Sequence, residues 1–248
     1  MPKHHEADPG RRDLLKAAGG VALLSVLPLT VNAVAADGKR LKIGIIGTGH
    51  VGSALGEVWA KAGHPVLLSS RNLDNDKKLA ADIGANSRAG TPQEAAAFGD
   101  VILLAVPYSA FPELIKSVGS QLKGKVVINA SNPFPQRDGQ IAEQARTQGA
   151  GLFDAQALPG ALVVRAFNAI GSARMASAHT DPGKIGLPIA GDDKKALEVT
   201  SQLTREIGFE PVVVGGLDMG KYLMPGTPLA GEHSPEEVRA IAAKLSPG

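Results

Sequence analysis

Residues 47 to 52 read Gly47-Thr48-Gly49-His50-Val51-Gly52 and follow directly on the apolar run 41–46. Glycines at this spacing serve an anion: the first permits a tight turn, the second lets the main chain approach a pyrophosphate, and the third lets a helix lie close on the preceding strand. A helix that begins there also aims its free N–H groups and the positive end of its dipole at the same point. The motif is weak by itself and gains force from its place between a strand and a helix. His50 is read as a neighbour of the nucleotide with no acid-base role.

About twenty residues further on, where such a fold brings the end of its second strand beside the adenosine ribose, the chain reads Ser69-Ser70-Arg71-Asn72. An Asp or Glu there accepts hydrogen bonds from a ribose 2′-hydroxyl and repels a 2′-phosphate, whereas hydroxyls and a guanidinium donate to a phosphate. The expected nucleotide is therefore NADP. Two further short stretches, Ala105-Val106-Pro107-Tyr108 and Asn132-Pro133, follow apolar runs at the strand ends where open α/β sheets bind ligands. Tyr108 is expected either to stack on a ring or to stand exposed at the strand end.

Other chemistry is poorly provided for. Cysteine is absent, which removes disulfides, thiolate nucleophiles and cysteine metal sites. His50, His64, His179 and His233 show no metal-ligand spacing, so no metal site is expected. Neither tyrosine is followed by lysine in the Tyr-x-x-x-Lys pattern of short-chain dehydrogenases, since Tyr108 leads to Pro112 and Tyr222 to Gly226. Carbonyl or imine reduction usually wants a positioned proton donor, whereas hydride transfer between two rings needs only alignment and dryness. The second is expected, with no catalytic side chain assigned.

The elements that must position these residues are legible as apolar runs at 41–46, 66–69, 101–106, 126–129, 162–167, 187–190 and 212–214. Their apolarity is continuous rather than alternating, which predicts strands of a parallel sheet buried on both faces. Helices are expected at 52–62, 110–118, 141–148 and 194–207, with capped starts at Thr91-Pro92-Gln93-Glu94 and Ser234-Pro235-Glu236-Glu237. The predicted fold is α/β: a Rossmann-type, doubly wound, mostly parallel sheet over residues 37–217 with helices on both faces. A short helical extension, 218–248, follows it. Arg165, inside an apolar run, is expected at the surface or against a carboxylate, and Phe167 in the core. Asp192 and Asp193 read as a favourably charged helix start.

With GTGHVG, SSRN, AVPY, ASNP (130–133), VVRAFN (163–168), AGDD (190–193) and GFEPVVVGGL (208–217) in order, the chain resembles the NADPH-dependent coenzyme F420 reductase family. It is also similar to the related dinucleotide-binding reductase domain of eukaryotic metalloreductases. The likeness spans about residues 41–224. It implies that Thr48, Gly49, His50 and Val51 contact the pyrophosphate, that Ser70 and Arg71 hold the 2′-phosphate, and that Val106, Pro107, Asn132 and Ala166 lie along the nicotinamide half. It also implies coenzyme F420 or a flavin as hydride acceptor. The family's archaeal members carry a lysine where Asn75 stands, and its C-terminal helix is interrupted here by Met224-Pro225-Gly226-Thr227-Pro228. That leaves the acceptor and a homodimer as open expectations. A ferric or flavin reductase and a non-catalytic NADP sensor are the alternatives.

Composition sets the outer bounds. A chain of 248 residues with 44% hydrophobic and 20% charged residues can bury a full core, and a net charge of +2 without a basic tract gives no reason to expect nucleic acid. The N-terminal 36 residues read as an address. Arg11-Arg12-Asp13-Leu14-Leu15-Lys16 resembles a twin-arginine export signal, followed by an uncharged stretch ending in Ala33-Val34-Ala35, a small-x-small cleavage pattern. An uncleaved anchor is the alternative. Export would place the protein in the periplasm or outside the cell, with the export machinery as a partner.

Overall fold

Short aliphatic runs bounded by glycine or polar turns bury both of their faces when laid side by side as strands, and six of the seven runs do so here, while the last, 212–214, leaves Val213 exposed on the outer side of the sheet's final strand. The computed structural model describes residues 40–245, so the Arg11-Arg12 signal lies outside the described residues. The first half runs β1 (Ile43–Ile46), α1 (His50–Lys61), β2 (Val66–Ser69), α2 (Leu73–Ile83), β3 (Ser87–Ala89), α3 (Pro92–Phe98), β4 (Val101–Leu104), α4 (Phe111–Val118) and β5 (Val126–Asn129). Three short helices follow, α5 (Pro135–Asp138), α6 (Gln140–Gln148) and α7 (Ala150–Ala157), before β6 (Leu162–Arg165) and α8 (Ser172–Ser177). The chain then forms β7 (Gly186–Gly191), α9 (Lys194–Glu206), β8 (Glu210–Gly215) and α10 (Pro235–Ala242).

The strands form one sheet in the order β3-β2-β1-β4-β5-β6-β7-β8. Six strands, β1 to β6, are parallel, and β7 is antiparallel to β6, with Val164 opposite Gly191 and Arg165 opposite Ala190. β8 then pairs parallel to β7. Continuous apolarity reports that both faces are covered but carries no direction, so the reversal was not readable from the runs. The β6–β7 link holds only α8 and one short turn, and it does not cross back over the sheet as a parallel connection must.

Helices cover both faces. On one, Trp59 of α1 packs edge-on against Phe167, which in turn meets Phe209, and Trp59 Nε1 donates to Leu203 O of α9 at 3.0 Å. On the other, Ile46, Ile102, Leu104 and Val127 meet Ala95 and Ala96 of α3 and Val118 of α4. The α1–β2 turn is tied to the end of α9 by His64, whose Nε2 lies 2.6 Å from Glu206 Oε2 while its Nδ1 accepts from Leu41 N at 2.9 Å. Both capping boxes read from the sequence form, at Thr91 and Ser234.

Beyond β8 a 3-10 helix, Leu217–Leu223, and α10 pack on β7 and β8 through Met219, Leu223, Leu229 and Val238. Gly231 N donates to Ala169 O and Gly186 N to His233 O, so this stretch lies against the sheet. Among the described residues no helix is long and apolar enough to cross a membrane.

Candidate functional site

The loop from β1 to α1 is shaped by its three glycines in three different ways. Gly47 has φ +105°, and a Cβ there would stand 2.3 Å from Ala105 O, so neither the turn nor the neighbouring β4 admits a side chain. A Cβ on Gly52 would stand 1.8 Å from Gly47 O, which is how closely α1 sits on the loop. Gly49 has nothing within 4 Å of that position and is exposed. The first turn of α1 has no side-chain cap and no acidic residue, so its N–H groups face an open surface with the positive end of the dipole behind them. This is an arrangement that fits a pyrophosphate, with Thr48, Gly49, His50 and Val51 all at least partly accessible.

The end of β2 lies beside this loop, with Gly47 N donating to Ser69 O at 2.8 Å. Arg71 is exposed and, among the described residues, forms no ion pair or side-chain hydrogen bond, so its guanidinium is free for a ligand. Its neighbours are engaged. Ser69 is fully buried and donates to Ile45 O at 2.7 Å, which corrects its expected place among the cofactor contacts. Asn72 caps α2 by accepting from Asn75 N. The Ser70 hydroxyl donates to the Asp76 carboxylate, 2.9 Å from each oxygen, and Thr48 Oγ1 donates to Asp76 Oδ1 at 2.5 Å. The one hydroxyl proton of Ser70, expected to reach a phosphate, goes to Asp76 instead.

Asp76 has no exposed surface and was missed in the sequence, where it stands in the run Asp74-Asn75-Asp76-Lys77-Lys78 that reads as a solvated face. The signal was its position. On the first turns of a helix that starts at the end of β2, one carboxylate faces back toward the glycine loop.

The ends of β4, β5 and β6 complete the edge. Tyr108 is neither stacked on an open cleft nor exposed. It is fully buried, stacked on Phe111 with ring centroids 4.5 Å apart. Its hydroxyl donates to Asp154 Oδ1 at 2.7 Å and accepts from Arg165 at 2.9 Å, and Arg165 also donates to Asp154 Oδ2 at 2.6 Å. Burial drives the Tyr108 hydroxyl far above its ordinary range. Arg165 thus has the carboxylate expected of it, but in the interior. A second arm of its guanidinium donates to Ser131 O at 3.2 Å and to Asn132 Oδ1 at 3.4 Å. Asn132 Nδ2 in turn donates to Asn168 O, while Asn168 Nδ2 donates to Asn129 O and Ser131 O.

Ala166 is fully buried in the core, so its side chain is not offered to the cleft, whereas Ala105, Val106, Pro107 and Asn132 are partly accessible. The loop after β5 is pinned to the loop after β4 by Asp138, which accepts from Ser109 Oγ, Phe134 N and Arg137. Burial pushes the Asp138 carboxyl up, but these hydrogen bonds and the Arg137 charge outweigh it and hold it below its usual range. Asp193 caps α9 and Asp192 accepts from Leu217 N, and among the described residues no group of acidic and histidine side chains is arranged for a metal.

This geometry can be set against known proteins. Residues 42–133, which span the glycine loop through Asn132, match the family model described as NADP oxidoreductase, coenzyme F420-dependent. The F420-dependent NADP reductase of Methanothermobacter marburgensis is 30% identical over 210 residues, an alignment that takes in 76% of this chain and 90% of the relative. Rat metalloreductase STEAP3 is 30% identical over 206 residues, 83% of this chain but only 37% of that longer protein. Among solved structures, the Sinorhizobium meliloti protein SMa0349 superposes with a TM-score of 0.67 at 29% identity, covering 79% of this chain and 96% of that one. A glycine loop, an unpaired arginine at the end of β2 and a chain-long relative thus agree, and the chain belongs to the family of NADP oxidoreductases described as coenzyme F420-dependent.

Proposed function

We propose that this NADP-dependent oxidoreductase moves a hydride between NADPH and coenzyme F420 or another flavin-like ring. The observation that carries the reading is the chemistry of the strand-end edge. Loops suited to phosphates lie at one end, and at the other the Tyr108 hydroxyl and the Asp154 carboxylate are buried and spent on each other and on Arg165. Among the described residues no free proton donor stands beside Val106, Pro107 and Asn132, which suits transfer between two rings better than reduction of a carbonyl. The α1 N-terminus and Gly49 would hold the pyrophosphate, and Arg71 the 2′-phosphate. Val106 and Pro107 would exclude water from the nicotinamide half, and Asn132, fixed by Arg165, would orient it. The bound nucleotide itself supplies the hydride.

Absorbance at the nicotinamide band, followed with F420, FMN and a ferric chelate offered in turn, tests the reading. Oxidation of NADPH by F420 or FMN is expected. Turnover only with the ferric chelate would favour the metalloreductase-like reading, which the likeness to STEAP3 supports. Binding of NADPH without turnover on any acceptor would replace both with a nucleotide sensor. We further propose, from Arg11-Arg12 and the stretch behind them, that the protein is exported by the twin-arginine route to the periplasm or beyond, and that it works as a homodimer. Fractionation of cells and light scattering of the purified chain check these two points.

A further inference from the structure

We infer that Asp76 sets how far this site prefers the phosphorylated over the unphosphorylated nucleotide, and that it does so against the phosphate. The inference deepens the proposed function and rests on its assignment of a nicotinamide nucleotide to this edge. Three observations carry it. The Asp76 carboxylate has no exposed surface, yet it joins the two loops that flank the ribose position, accepting from Thr48 Oγ1 at 2.5 Å and from Ser70 Oγ at 2.9 Å. Each hydroxyl carries a single proton, so both are consumed, and Ser70 Oγ already accepts from Asn72 N at 3.1 Å. Finally, Arg71 beside them has no partner among the described residues.

A 2′-phosphate at this edge therefore meets one free cation and two hydroxyls that have already donated to an anion. To recruit Ser70 it would have to pull that hydroxyl away from a buried carboxylate, and it would do so as a second anion beside the first. A ribose 2′-hydroxyl meets neither obstacle. Asp76 thus plays part of the role an acidic residue at the end of β2 plays in an NAD site, supplied instead from the first turns of α2. The motif Ser69-Ser70-Arg71-Asn72 taken alone overstates the preference for NADP.

The test is a titration of the full folded chain with NADPH and with NADH, for the wild type and for Asp76→Asn, which keeps the shape and removes the charge. The ratio of NADPH to NADH affinity is expected to rise about tenfold in Asp76→Asn, the size of one partly screened like-charge contact. An unchanged or lower ratio, including an equal loss of both affinities, would mean that Asp76 only braces the loops and would overturn the inference while leaving the proposed function in place. A wild type that binds neither nucleotide would overturn both. Thermal melting shows whether Asp76→Asn is folded. Should it fail to fold, Asp76→Ser, neutral and able to keep one hydroxyl contact, is read by the same ratio.

Discussion

Arg71 and Tyr108 both follow the ends of sheet strands, the first exposed and unpaired among the described residues, the second buried and bonded. Arg71 is where the pattern placed it, exposed and free, because a strand-end position after a glycine loop leaves little choice of direction. Arg71→Asp is expected to lower NADPH affinity by about ten- to a hundredfold, the equivalent of about 1.5–3 kcal/mol for a charge-assisted contact, while leaving NADH little changed in a titration. Tyr108 was legible as a strand-end residue but not as a buried one, since its partners Asp154 and Arg165 lie 46 and 57 residues away. Tyr108→Phe removes the hydroxyl that bridges them and is expected to cost about 1–3 kcal/mol in denaturant unfolding. Because that hydroxyl is no proton donor to substrate, kcat and its pH profile should stay as in the wild type. A lost limb of the profile would restore Tyr108 to the chemistry. Asp76 escaped the sequence reading for a related reason, as its neighbours are exposed charges and only the folded loop shows which carboxylate turns inward.

The loop between β1 and α1 separates binding from stability. Ala at position 49 meets open space and an ordinary φ of −69°, whereas Ala at position 52 meets Gly47 O. Gly49→Ala is therefore expected to change stability by no more than about 1 kcal/mol. Its methyl group would nonetheless stand where the pyrophosphate approaches, and NADPH affinity should fall by about tenfold or more. Gly52→Ala is expected to destabilise the fold at the upper end of the roughly 1–3 kcal/mol typical of overpacking, seen as a lower Tm. Equal effects of the two changes on Tm would contradict this division. The motif alone was enough to place the tight turn at Gly47 and the close helix packing at Gly52, because both follow from the geometry of a strand running into a helix. Other elements were less legible. β3 is three residues long and only partly buried, so it offers no apolar run. α2 is too polar to show a stripe, with only Asp76 and Ala80 buried among its 11 residues. The reversal of β7 rests on the length and path of a connection, which hydropathy does not encode.

Across the whole molecule, acid should weaken one long-range tie in particular. Burial pushes the Glu206 carboxyl up, but the hydrogen bonds from His64 and Gln202 outweigh it and hold it below its ordinary range. A depressed carboxyl contributes its stability above the unfolded value and loses it as pH falls through the folded one. Glu206→Gln is therefore expected to be about 1–3 kcal/mol less stable than the wild type at neutral pH, with the gap closing below about pH 4. Unfolding at both pH values measures it, and a gap independent of pH would remove the Glu206 charge from the account. His64 and Glu206 join the first crossover to the end of α9, and a second link between early and late chain is more demanding. Phe167 holds φ +68°, a left-handed conformation that a bulky side chain adopts only when its surroundings insist. What insists is Trp59, from the first helix, and Phe209, from just before the last strand. The bend that carries the chain out of β6 can thus lock only after segments more than a hundred residues apart have met. Nucleotide half and C-terminal half should consequently melt in a single transition, and a fragment ending at residue 166 should lack a rigid hydride-side wall.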